Sequence, residues 1–132
     1  MMTKMQILIR NLAILALFGT VFFMLSNASP TALHAHRKSD RTANYGPSTI
    51  VTVKDFELGK LFLCKYDKWF SCNTVIKRCF GLLWYPGNQV YGKLNDISLP
   101  IDYYWNGSRY NKEYMLWMVY GIVNEKSITS VK

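Results

Sequence analysis

The chain has 132 residues, half of them hydrophobic, and carries 16 Lys and Arg residues against 8 Asp and Glu residues, a net charge of +8. This length allows one small domain at most, and the scattered charges exclude a basic tail. The excess of positive charge either keeps the surface solvated or attracts anionic lipid headgroups, acidic polymers or an acidic protein.

Residues 1–28 have the layout of a secretory signal peptide. Two basic residues precede an uncharged run from Leu12 to Leu25, and the sequence Ser26-Asn27-Ala28 then supplies small residues at the −3 and −1 positions of a cleavage site. We therefore expect cleavage after Ala28 and a mature protein in the periplasm or outside the cell. There disulfides persist and nucleotide cofactors are scarce, and export also takes the chain away from nucleic acid.

The alternative interpretation of the same segment is an uncleaved membrane anchor. The 14 uncharged residues that begin at Leu12 rise about 21 Å as a helix, short of the roughly 30 Å hydrocarbon core, although counting from Ile7 gives 19 residues. The chain would then contact the membrane through its N-terminal segment. Its domain, lying outside, would be an accessory part of an envelope complex.

Residues 29–48 are predicted to form a flexible polar linker, because they lack apolar periodicity and are bracketed by turn-forming residues. In an anchored protein this linker would be a stalk of at most about 70 Å. It contains His34 and His36, the only histidines of the chain. A Ser-His-Asp or Cys-His catalytic arrangement is therefore excluded unless the linker folds back. Two histidines are too few for a zinc site, so we expect no metal and no cofactor.

Residues 49–132 are predicted to form a small domain that is mainly β or α+β, with an antiparallel sheet. Aromatic side chains are concentrated there and supply enough apolar surface for a core. The first strand is β-branched and runs into Phe56, and a turn at Leu58-Gly59 precedes the second. The predicted segments are Thr49–Val53, Leu61–Tyr66, Thr74–Tyr85 as a strand or a short helix, and Gln89–Leu94.

The strongest local prediction is a β-hairpin at Asn106-Gly107. Apolar and polar residues alternate before this pair, and Asn-Gly best adopts the positive φ angles of a type I′ turn. Counting outward from the turn places Trp105 opposite Ser108 and Tyr104 opposite Arg109. Asn106 also begins an Asn-Gly-Ser glycosylation pattern, which turn chemistry alone explains.

The most apolar stretch of the domain runs from Tyr114 to Val123. Both of its alternating faces are apolar, which favours a central strand covered on both sides, with a fully buried helix as the alternative. The following segment, Ser127–Val131, is expected either to add an edge strand or to hang free.

The chain has three cysteines, Cys64, Cys72 and Cys79, an odd number for an exported protein. One intramolecular disulfide with one thiol left over is the simplest arrangement, and the spacing does not select among the three pairings. The remaining thiol would either be buried and inert or form a disulfide with a partner.

The domain contains no recognisable catalytic motif. Paired carboxylates can act as acid and base, and Asp96, Asp102 and Glu113 are the candidates nearest the predicted hairpin. A small carboxylate-based hydrolase is therefore the third interpretation, and we expect that the protein is not an enzyme.

The leading interpretation is an exported domain that works by binding. Aromatic residues interleaved with Lys and Arg are typical of binding hot spots, although ordinary packing also explains them. The expected partner is another exported or envelope protein, or an anionic surface polymer whose sugars stack on aromatic rings; nucleic acid is not expected. The candidate binding residues are Tyr66, Trp69, Tyr104, Trp105 and Arg109.

Overall fold

A computed structural model describes residues 3–43, 46–88 and 92–130. The first element is helix α1, Lys4–Leu25. Thr3 caps it, since its hydroxyl accepts the Gln6 N–H while the Gln6 side chain accepts the Thr3 N–H. The 22-residue helix is about 33 Å long, none of its residues is buried, and its mean hydropathy reaches 2.1. The expected N-terminal apolar helix is thus confirmed, and its length and composition fit either a signal peptide or a membrane anchor.

The flexible linker predicted for residues 29–48 is wrong, because this segment contains helix α2, Ala32–Thr42. Thr31 caps the helix by accepting the His34 N–H at 3.1 Å. The face that α2 buries against the strands consists of Ala35, His36, Ser39 and Asp40. Since that face is small and polar, no apolar periodicity marked the helix in the sequence. The folded domain therefore begins before residue 49.

The segment that follows α1 is held against the domain by hydrogen bonds. Ser29 forms an antiparallel bridge with Trp84, with N···O distances of 2.7 and 2.9 Å, and the Lys38 ammonium donates to the Ser26 carbonyl at 2.5 Å. Ala28 and Ser29 are buried. The predicted cleavage position thus lies inside the folded domain. Ser29 is four positions after the last residue of α1, so the connection is about 14 Å long at most.

Five strands form sheet A, namely β1 Thr49–Phe56, β2 Gly59–Tyr66, β3 Trp69–Arg78, β4 Leu83–Pro86 and β5 Lys93–Leu94. All pairs in this sheet are antiparallel. The order is β1-β2-β3-β4, and β5 pairs with β3 beyond the end of β4. The segment predicted as strand or short helix is the end of β3, a 3₁₀ turn at Cys79–Gly81 and β4. Residues 89–91 of the last predicted strand lie outside the described residues.

Sheet B consists of β6, Ile101–Arg109, and β7, Met115–Val123, paired antiparallel. The hairpin predicted at Asn106-Gly107 is wrong, since both residues lie within β6. The turn instead covers residues 110–114, where the Tyr110 N–H donates to the Tyr114 carbonyl at 3.0 Å.

The register of sheet B differs accordingly from the predicted one. Trp105 pairs with Val119, and Tyr104 pairs with Tyr120. A turn at residues 106–107 would pair only short segments and leave the apolar stretch after Tyr114 without a β6 partner. The observed turn gives two nine-residue strands, whose inner face packs on sheet A.

Strand β7 confirms the preference for a strand over a helix, but it is not covered on both sides. Met118 and Tyr120 are buried, whereas Trp117 and Val119 on the alternate face are 61 % and 74 % exposed. Between residues 127 and 130 the chain forms no strand.

The domain has three layers, with α2 on one face of sheet A and sheet B on the other, so the predicted α+β class with antiparallel strands is confirmed. Two apolar clusters lie between the layers. The one beneath α2 contains Ala35, Phe62, Cys64 and Val75, and the one beneath sheet B contains Phe70, Cys72, Met118 and Tyr120.

The predicted disulfide is absent, and all three cysteines are free thiols. Cys64 pairs with Ser71 and Cys72 with Leu63, so the two buried thiols point to opposite faces of sheet A. Cys79 follows the far end of β3, roughly 20 Å along the strand from Cys72, whereas a disulfide needs Cα atoms within about 7 Å.

Candidate functional site

The outward side of sheet B carries a row of large apolar side chains that no described residue covers. The members of this aromatic face are Tyr103, Trp105, Met115, Trp117, Val119 and Val123. Each is at least 47 % exposed. They lie on one surface because alternate residues of paired strands point the same way. The result is a flat apolar patch on a small domain.

The two tryptophans of the aromatic face are held by their neighbours. The Trp105 and Trp117 rings lie 5.8 Å apart with a 35° angle between their planes. Gly107 pairs with Trp117, whose ring covers the glycine; a Cβ at position 107 would lie 2.8 Å from Trp117 Cζ3. The glycine is therefore needed for the close approach of the indole, and not for a turn.

The aromatic face carries no negative charge. Arg109 is the one charged residue among the outward positions of β6 and β7. Asp102 points inward, where its carboxylate accepts the Lys93 ammonium and the Asp96 N–H. Hydrogen bonding to Lys93, and then to the Asp96 N–H, holds the pKa of Asp102 below its usual range.

A cleft of about 760 Å³ opens beside the far end of β6. We call it the two-arginine cleft, because Arg78 from the end of β3 and Arg109 from the end of β6 both line it, and no Asp or Glu among the described residues does. The other lining residues are Ile76, Tyr85, Pro86, Gly87, Asn88, Gly107, Ser108 and Tyr110.

A third feature is a buried polar cluster between α2 and sheet A. His36 Nε2 lies 3.5 Å from both Ser48 Oγ and Cys64 Sγ, and 3.6 Å from Asp40 Oδ2. Ser48 donates to Asp40 at 2.6 Å, and Asn73 Nδ2 donates to Asp40 at 3.1 Å. The segment expected to be a linker does fold back, and it brings a histidine to a thiol, a hydroxyl and a carboxylate.

The chemistry of this cluster is that of a buried network. Burial raises the pKa of the Cys64 thiol to about 11, so the nucleophilic thiolate is scarce at neutral pH. Burial likewise lowers the pKa of His36, against the opposing effect of Asp40, and keeps the imidazole neutral. Since His36, Asp40 and Cys64 are at most 2 % exposed, no substrate reaches them in this conformation. The described residues contain no group of His, Cys, Asp and Glu able to hold a metal ion.

The three candidate carboxylates do not form one cleft. Asp96 and Asp102 are neighbours, but Glu113 is exposed in the turn at the opposite end of sheet B. Hydrogen bonds from Ser98 lower the pKa of Asp96, and that of Asp102 is also lowered. A general acid requires a raised pKa, so this geometry gives the hydrolase interpretation no support.

The five predicted binding residues are not brought together. Trp105 is part of the aromatic face, and Arg109 lies at the end of the same row. Tyr104 faces inward, with its ring 6.0 Å from that of Tyr120. Tyr66 and Trp69 pair with each other at the β2–β3 turn of sheet A.

Of the six members of the aromatic face, only Trp105 was among the predicted binding residues. The sequence analysis missed the other five, and it also missed Arg78 in the cleft. The alternation within β7 marked both faces as apolar, but only the register with β6 shows which one is exposed.

Comparisons with protein-family models, with curated proteins and with solved structures find no match to this chain. Function is therefore inferred from the side chains and their geometry.

Proposed function

We propose that this chain is an exported domain that works by binding a partner through the aromatic face. The observation that carries the proposal is the exposure of six large apolar side chains on one side of sheet B. Contiguous apolar patches on small soluble domains usually mark interaction sites. Tryptophan and tyrosine also dominate the energetics of such sites, because they bury large areas while losing little side-chain entropy.

The partner that fits this face is another exported or envelope protein, or a surface polymer whose sugars stack on the indole rings. The apolar helix α1 supports export or membrane attachment, and the net charge of +8 favours an anionic partner. Arg109, at the end of the row, adds a positive group at the rim of the face.

A second candidate is a membrane-anchored accessory protein of an envelope complex. The observation that favours it is the burial of Ala28 and Ser29, which makes the bond expected to be cleaved inaccessible once the domain has folded. An anchored domain would also lie directly on the membrane, since only three residues, 26–28, separate the end of α1 from the bridge to β4. The intact mass of C-terminally tagged protein from its host separates the two candidates. A mass beginning at Ser29 supports cleavage, and a full-length mass in membranes supports the anchor.

The binding proposal is tested by photo-crosslinking of the full chain in its native host. A benzophenone amino acid replaces Trp105 in one variant and Val119 in another; the matched control replaces His34, which is exposed on α2. We expect a discrete crosslinked product from positions 105 and 119 and none from position 34. Folded variants that give no product at either face position, or the same product at all three, would contradict the proposal.

A further inference from the structure

We infer that the two-arginine cleft is a binding site for a phosphate group on an anionic ligand. This site adjoins the aromatic face and shares Arg109 with its rim, but it recognises a different chemical group, so the inference goes beyond the binding function proposed above. It rests on the charge of the cleft walls, on their bracing and on the position of the cleft in the chain.

The cleft concentrates positive charge without a protein counter-ion. Arg78 and Arg109 reach it from different strands, and the ion pairs of the described residues involve other cations, namely His36, Arg37, Lys60 and Lys93. Because both residues carry a positive charge, an anion bound in this cleft would be favoured electrostatically. The remaining polar lining groups are neutral hydroxyls and an amide.

The walls of the cleft are braced against each other. Asn88 Nδ2 donates to Ser108 Oγ at 2.5 Å, and the Asn88 N–H donates to Thr74 Oγ1 at 2.9 Å. Thr74 Oγ1 in turn lies 2.6 Å from the Tyr110 hydroxyl. These bonds connect β3, the end of β4 and the end of β6, so the arginines project from a frame that is already formed. A preformed frame reduces the ordering cost of binding.

The ligand chemistry follows from the donors. A guanidinium group offers a planar fork of N–H donors that matches phosphate oxygens, and arginines on two walls suit a tetrahedral anion that presents oxygens in several directions. One guanidinium fork is enough for a planar carboxylate. The volume of about 760 Å³ exceeds that of phosphate alone and lies within the range of small-molecule sites, so the phosphate is carried by a larger molecule.

Two sources of such a phosphate fit the cleft, a phospholipid headgroup and a soluble phosphate ester. Tyr85 and Pro86 line the cleft, and they directly follow Trp84 in the chain. The backbone of Trp84 pairs with Ser29, which is four positions after the last residue of α1. If α1 spans a membrane, the cleft therefore lies near the headgroup layer. The shared chemistry is the phosphate group, and the source is decided by experiment.

The test measures thermal unfolding of the full chain in dodecyl maltoside micelles. Inorganic pyrophosphate is the soluble probe, dioleoyl phosphatidic acid in mixed micelles is the headgroup probe, and phosphatidylcholine is the lipid control. Since a ligand that binds only the folded state stabilises it, we expect a concentration-dependent rise in the unfolding midpoint with a phosphate probe. A rise with phosphatidic acid alone assigns the headgroup, and a rise with pyrophosphate assigns a soluble ester.

Variants connect the effect to the cleft. Arg78 and Arg109 are exposed, so we expect the R78Q/R109Q variant to fold, which circular dichroism checks. We expect this variant to bind the phosphate probe with an apparent affinity at least about tenfold weaker. K65Q removes one exposed positive charge from β2, outside the cleft, and is expected to bind as wild type. R78K/R109K, which keeps the charge without the fork, is expected to lie between.

The inference is overturned if neither probe raises the midpoint, or if R78Q/R109Q and K65Q respond as wild type does. Crosslinking from the aromatic face does not depend on Arg78. A negative result with the phosphate probes therefore does not contradict the proposed partner binding, and a negative crosslinking result does not contradict the phosphate site.

Discussion

His36, a single buried residue of α2, joins this helix to sheet A. It is fully buried, and its ring stacks on that of Phe62 with centroids 4.6 Å apart and planes 2° from parallel. Its Nε2 atom lies within 3.6 Å of Ser48, Cys64 and Asp40. Buried polar groups destabilise a fold unless they are paired, so the cluster fixes the position of α2 on sheet A.

The buried cluster makes stability depend on pH at both ends. The pKa of His36 is lowered in the folded state, so the unfolded chain binds more protons and stability falls as the pH drops through about 6.5. The pKa of Cys64 is raised from 9.0 to about 11, so stability falls as the pH rises through that interval, by on the order of 2 kcal/mol. Urea unfolding at pH 5, 7.5 and 10 measures both limbs.

Two variants assign the limbs to residues. H36Q is expected to flatten the acid limb, while H34Q, at the exposed histidine, leaves it unchanged. C64A should reduce the alkaline loss. A wild-type stability that is constant from pH 5 to 7.5 would contradict the acid limb.

We expect one of the three cysteines to react readily with thiol reagents in the native protein and the other two to be protected. Cys79 is exposed, whereas Cys64 and Cys72 are buried with pKa values raised to about 11 and about 12. We expect native protein to take up one equivalent of a maleimide reagent quickly, at Cys79, and unfolded protein to take up three. Mass spectrometry of labelled peptides gives the count. If the native protein has one reactive thiol and its mass rises by 2 Da on reduction, the predicted disulfide is present after all.

The β6–β7 hairpin illustrates the element scale. Asn-Gly is the strongest local turn signal, yet Gly81 is the one described glycine with a positive φ. The turn lies at residues 110–114, where the Asn111 side chain accepts the N–H groups of Glu113 and Tyr114 at 2.8 and 2.6 Å. Longer strand pairing and burial of the inner face of β7 outweigh the preference of one dipeptide.

Insertions locate the turn directly. Two glycines placed between Lys112 and Glu113 lengthen a surface turn and should cost less than about 1 kcal/mol. The same insertion between Asn106 and Gly107 interrupts the β6–β7 ladder and displaces Trp117 from Gly107, so we expect a loss of several times that size. Urea unfolding followed by tryptophan fluorescence compares the two. If the insertion at residues 112–113 costs more stability than the one at residues 106–107, the turn lies at Asn106-Gly107 instead.

At the scale of the whole molecule, α2 belongs to the domain and is not a stalk. It covers the face of sheet A that contains Phe62, Cys64 and Val75. A fragment that begins at Ser29 keeps the helix and the bridge to Trp84, whereas one that begins at Thr49 loses both and exposes the cluster.

We expect the fragment 29–132 to unfold cooperatively and the fragment 49–132 to be less stable by more than about 3 kcal/mol, or to aggregate. Circular dichroism and urea titration measure the difference. Equal stabilities would restore the linker interpretation of residues 29–48.

Local patterns in the sequence were enough to predict the N-terminal apolar helix, the antiparallel α+β class and strands β1, β2 and β7. These elements depend on runs and alternations within about ten residues, which are visible along the chain. Of the aromatic face, the sequence identified Trp105 directly, with Arg109 at its end.

Tertiary structure alone decided the docking of α2, the turn at residues 110–114, the exposed face of β7 and the separation of the cysteines. Each depends on which distant segments pair and in which register, and a shift of one residue reverses the face of every side chain in a strand. Trp117 joins the aromatic face, and Arg78 and Arg109 come to line one cleft, only through such pairings. The elements were therefore determined by local chemistry, and the surfaces that they form by long-range packing.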